Sequence, residues 1–125
     1  MGLFGKKKKN HNPDEMVTFI EKAGGCLCTK SVLDGKTHLK WCFREQSVNP
    51  ADNGWRFLGE SDTEQYINTP GNNSVVDFNT VANIEPAVLG IYNMPVGTDL
   101  RFEMAQDGSR HFYDSNTGAE VKIQY

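Results

Sequence analysis

The sequence predicts an α+β fold, a mostly antiparallel sheet of hairpins with short helices packed on it. Two Asp-Gly pairs, Asp34-Gly35 and Asp107-Gly108, separate apolar stretches as hairpin turns do. Helix-start signatures stand at Asn12–Glu15 and Ser61–Glu64, each followed by a short apolar stripe. Nothing reads as the alternating βαβ units of a parallel sheet. A length of 125 residues suits one domain, and 38% hydrophobic residues suffice for a core.

Residues 1–11 hold Lys6–Lys9 and no apolar periodicity, and read as a disordered basic leader. Residues 12–125 are then the folded domain. Asn12 can cap a helix, Pro13 suits its first position, and Glu15 completes a capping box. Met16, Val17, Phe19, Ile20 and Ala23 give the stripe, and Gly24-Gly25 ends it. Cys26–Leu33 and Lys36–Arg44 then form a hairpin around Asp34-Gly35. The two-residue turn pairs Cys28 with Trp41 and Cys26 with Phe43. It places Cys26, Cys28, Val32, Leu39, Trp41 and Phe43 on the core face.

Residues 45–54 are polar and read as a loop. Trp55–Leu58 is a short strand, and Ser61–Glu64 caps a helix through Tyr66 and Ile67. Val75–Phe78 is a further brief strand, Asn79 caps a helix towards Ile84, and Pro86 restarts it. Leu100–Met104 and Arg110–Tyr113 form a second hairpin, and Val121–Tyr125 a last strand.

The net charge is −3, but Lys6–Lys9 mask a more acidic body. Without them 9 basic residues face 16 acidic ones, a balance of −7. Such a surface repels phosphates, which argues against nucleic acid and favours a basic partner. No apolar run approaches a membrane span, and the leader lacks the apolar stretch of a secretory signal. With three cysteines and no such signal, a reducing, cytoplasmic setting is expected.

Cys26, Cys28, Cys42 and His38 could be written as a metal set. However, the hairpin register puts Cys42 and His38 on the face opposite Cys26 and Cys28. C-x-C is also a poorer pattern than C-x-x-C. The cysteines read instead as small buried hydrophobes, and neither metal nor cofactor is expected. His11, His38 and His111 sit in no nucleophile motif, and no glycine-rich phosphate loop occurs. The acid pairs Asp62/Glu64 and Asp99/Glu103 read as solvated, so no enzyme is expected. Trp55-Arg56 points one side chain inward and one outward. Trp55 reads as core, while Arg56 either pairs with a local carboxylate or anchors an interface.

Cys28–Leu33, Lys40–Glu45 and Asp52–Phe57 form a series with Asp62–Asn68, Asn79–Pro86, Pro95–Thr98 and Phe102-Glu103. The series resembles the bacterial immunity protein 33 family, first catalogued as domain of unknown function 2185, over about residues 26–104. The resemblance implies a small cytoplasmic bacterial domain that neutralises a toxin by binding it, or a stand-alone relative. It supplies no catalytic residues. A non-catalytic binder of a basic protein toxin is therefore expected. The other readings are a small-ligand or enzymatic domain with an unrecognised site, and a cysteine-based metal or redox module. The partner surface is expected at Asp52, Arg56, Glu60, Asp62 and Glu64, where acids cluster beside an exposed polar loop.

Overall fold

The computed structural model describes residues 16–123. The basic leader, the first turn of the predicted N-terminal helix, and Gln124 and Tyr125 lie outside them. One seven-stranded sheet organises the described chain. Its strands are β1 (Gly25–Thr29), β2 (Leu39–Arg44), β3 (Asp52–Gly59), β4 (Asn73–Asp77), β5 (Asp99–Met104), β6 (Arg110–Asp114) and β7 (Glu120–Val121). Their order across the sheet is β4-β1-β3-β2-β5-β6-β7. Only β1 and β3 run parallel; every other neighbouring pair is antiparallel. Short helices α1 (Lys30–Leu33), α2 (Glu64–Asn68) and α3 (Phe78–Ile84) and a 3-10 helix, Pro86–Ile91, complete the α+β arrangement.

The core lies between one sheet face and the segment from α3 through the 3-10 helix. Cys26, Cys28, Cys42, Trp55, Phe57, Leu100, Phe102 and Phe112 point into it from the sheet, and Phe78, Val81, Val88 and Ile91 meet them. The rings of Trp55, Phe57, Phe78 and Tyr92 follow one another at centroid separations of 6.0, 5.8 and 4.7 Å. Aromatic pairs in this range add attraction beyond the area they bury.

The predicted hairpin of Cys26–Leu33 with Lys36–Arg44 does not form, because β3 lies between β1 and β2. Residues 30–33 close a helical turn instead. The Asp34 amide donates to the Lys30 carbonyl (2.8 Å), and the Lys36 amide reaches back to Ser31 (2.8 Å). Gly35, at φ 76°, ends that turn. A helix C-terminus and a tight hairpin both want glycine at positive φ, so Asp-Gly serves either. Cys28 accordingly opposes Phe57 and Ser74, not Trp41.

The expected core face of β2 is also corrected. The β2–β3 register shifts between Leu39 and Trp41, which inserts Lys40 as a bulge. One extra residue exchanges the faces beyond it. Leu39 and Cys42 therefore face the core, Trp41 is exposed and Phe43 only half-buried.

Residues 16–24 are not helical. Several of their backbone groups bond to side chains of α3. The Asn79 Oδ1 accepts from the Phe19 and Ile20 amides (2.8 and 3.0 Å), and its Nδ2 donates to the Ile20 carbonyl (2.9 Å). Asn83 pairs likewise with both backbone groups of Val17. Asp77, not Asn79, caps α3 by accepting from the Asn79 amide. Thr63, not Ser61, caps α2. The second hairpin forms as expected, with Phe102 opposite Phe112.

Candidate functional site

Alternation along β3 sends Trp55 and Phe57 into the core and Arg56 and Leu58 to the opposite face. Trp55 is fully buried, and its indole N–H donates to the Tyr92 carbonyl at 3.1 Å. Arg56 emerges on the other side yet is only 4% exposed. Asp52 clasps it bidentately, with Nη1 and Nη2 each 2.9 Å from a carboxylate oxygen. Glu45 takes the Nε–H at 2.6 Å, and the Trp55 carbonyl accepts from Nη1. The Asp52 carboxylate also accepts from the Val48 and Gly54 amides, both at 2.9 Å. It thus ties the loop before β3 to the strand itself.

The electrostatics follow from these contacts. The Arg56 hydrogen bonds hold the Asp52 carboxyl well below the usual carboxylate range, against the opposing effect of burial. Asp52 and Glu45 in turn keep Arg56 protonated. Two carboxylates face one guanidinium, so the group carries a net −1. Gly54 permits the geometry. Its φ is 90°, and a Cβ there would lie 2.2 Å from the Glu45 carbonyl oxygen.

A cleft of about 310 Å3 opens beside this group. Leu27, Val48, Ala51 and Val75 wall it, with Glu45, Asp52 and Arg56 among its lining. Val48 and Val75 are 77% and 78% exposed, although both are apolar. The same sheet face continues away from the cleft. Register places Val75, Leu27, Arg56 and Phe43 in one row and Leu58, Trp41, Arg101 and Tyr113 in the next. Trp41 is 36% exposed, and the Arg101 guanidinium lies 4.8 Å over the Tyr113 ring. Glu103 accepts from both Lys40 (2.9 Å) and Arg101 (2.8 Å). Trp, Tyr and Arg are the residue types that concentrate binding energy at protein interfaces.

Of the five residues expected at the partner surface, Asp52 and Arg56 come together here. Glu60 is exposed on a separate cleft of about 550 Å3, lined also by Val32, His38, Lys40, Glu85 and Glu103. Asp62 turns inward, accepting from the Gly59 amide at 2.6 Å and from the Ser31 hydroxyl. Glu64 is exposed in the first turn of α2. Glu45, Val48 and Val75 were not singled out from the sequence. Val75 was legible only as the start of a brief strand, and Glu45 only as the end of the Lys40–Glu45 stretch, with no site role given to either.

The three cysteines are free and buried. Burial pushes the Cys28 thiol up to about 12 and raises the Cys26 and Cys42 thiols well above their ordinary value, so all three stay neutral at physiological pH. Among the described residues, no cluster of three or more His, Cys, Asp or Glu side chains is placed to hold a metal ion. A Ser109–His111–Glu120 chain has the connectivity of a nucleophile, base and orienting acid, at 2.8 and 2.7 Å. The Ser109 hydroxyl, however, lies 2.6 Å from the Asp107 carboxylate, a competing acceptor for the proton His111 would have to take.

An α+β sheet with an arginine-centred ion cluster and an outer face of exposed valines, aromatic rings and charged pairs sets the structural class. The family comparison makes that class specific: the immunity protein Imm33 domain matches residues 26–113, from β1 into β6. The chain belongs to the Imm33 immunity protein family, whose role is immunity against toxins. No curated protein and no solved structure matches it. Among the described residues, no helix is long and apolar enough to cross a membrane.

Proposed function

We propose that this chain is a non-catalytic immunity protein of the bacterial cytoplasm that neutralises a basic protein toxin by covering it. The outer sheet face docks the toxin, from the Val48–Val75 cleft to Trp41 and Tyr113. The observation that carries this reading is the pairing of two strongly exposed valines with an ion cluster of net −1 on that face. Exposed apolar side chains grouped around a charged centre favour association over solvation. Glu60 and Glu64 are the exposed members of the acidic group and contribute to steering. Asp62 holds the turn that presents Glu60 through the Gly59 amide, and Asp52 and Arg56 hold the loop and strand beside the Val48–Val75 cleft. Buried neutral thiols support neither a metal nor a redox reading.

The test begins with capture of the toxin on the immobilised chain from its native bacterium, followed by growth protection in cells expressing that toxin. Reversing Glu60 and Glu64 to Lys is expected to slow association about tenfold at low salt and to flatten its salt dependence. An unchanged on-rate would refute the steering role. A chain that binds no toxin and protects no cells would refute the function.

A further inference from the structure

We infer that the cleft between Val48 and Val75 receives a single basic side chain, arginine or lysine, from the toxin, an inference that rests on the toxin-binding reading above. The cleft has two kinds of lining. Leu27, Val48, Ala51 and Val75 supply apolar walls suited to the methylene stem of a long side chain. Glu45 supplies charge beside them. Its Oε2 is engaged by the Arg56 Nε, while no hydrogen bond from a described residue reaches its Oε1. Glu45 is 54% exposed in the free chain, so water solvates that oxygen until a partner covers it.

Charge decides among possible occupants. Asp52 already satisfies the guanidinium of Arg56 bidentately, which leaves the Glu45 charge as the excess. An anionic side chain would meet this excess as repulsion. A purely apolar side chain would strip water from Glu45 and offer no donor in return, which is costly. A lysine or arginine buries its stem between the valines and donates to Glu45, so both linings are used at once.

The probe is the peptide acetyl-Gly-Arg-Gly-amide, titrated into the full chain labelled at Val and Leu methyls and followed by NMR. Its control is the same peptide with citrulline, a neutral group of nearly equal shape. Saturable shifts centred on Val48, Val75 and Leu27 are expected with arginine. Citrulline, or Glu45→Gln in the protein, should weaken binding by about tenfold or more, as loss of a charge-assisted hydrogen bond requires. No saturable shift at these methyls, or equal binding of the two peptides, would overturn the inference. Circular dichroism checks that Glu45→Gln remains folded. A second arm uses the captured toxin. If Val75→Asp and Glu45→Gln leave its affinity unchanged while the chain still protects cells, the cleft assignment fails and the immunity reading stands. If the chain protects no cells, the immunity reading itself fails.

Discussion

Asp52→Ala is expected to cost far more stability than Glu45→Ala, although both remove a carboxylate from the same arginine. Arg56 is 4% exposed, and Asp52 provides two of its contacts together with acceptors for the Val48 and Gly54 amides. Asp52→Ala leaves Glu45 as the remaining carboxylate on Arg56, takes the carboxylate acceptors from both Nη groups and orphans the Val48 and Gly54 amides, and breaking most of a buried ion pair in this way costs about 3–5 kcal/mol. Glu45, by contrast, is 54% exposed, and a pair with one solvated member contributes about 0–1 kcal/mol. With a urea slope of about 1.5 kcal/mol per molar, the Asp52→Ala midpoint should fall by about 2–3 M, and that of Glu45→Ala by less than about 0.7 M. Acid titration adds an independent readout. The Asp52 carboxyl is held below its unfolded value of about 3.9, so its stabilisation is complete at neutral pH. That stabilisation drains away as the pH falls below about 4. The gap between wild type and Asp52→Ala should therefore narrow towards low pH. Indistinguishable urea midpoints for the two variants, or a gap independent of pH, would refute the reasoning.

Two further outcomes are expected. Gly54→Ala must place a Cβ 2.2 Å from the Glu45 carbonyl oxygen at a φ of 90°, and should destabilise the protein by about 2 kcal/mol or more in thermal or urea unfolding. Cys26, Cys28 and Cys42 should resist iodoacetamide at pH 8 in the folded chain and react fully once it is denatured, as mass spectrometry would show; rapid native labelling would contradict their burial and raised thiol values.

Local signals in the sequence were often right about a bend and silent about what it joined. Asp34-Gly35 does turn the chain, but it closes α1 instead of linking two paired strands. The choice depends on β3, which supplies β1 with a partner from more than twenty residues away. The bulge at Lys40 leaves no mark in the alternation of Leu39, Trp41 and Phe43, so the inward and outward faces of β2 were exchanged. The stripe from Met16 to Ala23 has helical spacing, but Asn79 and Asn83 take its backbone groups through contacts of about sixty residues' separation. Asp107-Gly108 was legible because its two strands are adjacent in both sequence and space. At the candidate site, the Trp55-Arg56 alternation and the nearness of Asp52 could be read directly. The roles of Glu45, Val48 and Val75 arise only when the loop before β3 folds towards β4.

The position of β1 between β3 and β4 also sets the order in which the molecule can be assembled. β1 is the first strand of the sheet in the chain, yet its parallel neighbour ends at Gly59 and its antiparallel neighbour at Asp77. Closing those loops consumes chain entropy before the pairing gives anything back, whereas β2–β3 and β5–β6 join segments close in sequence. A nascent chain therefore exposes the Gly25–Thr29 segment, with its cysteines, until some fifty further residues have been synthesised. During that interval the unpaired strand is open to chaperones, to oxidation and to pairing with another copy. Unpaired strand edges of this kind are prone to aggregate while the chain is incomplete.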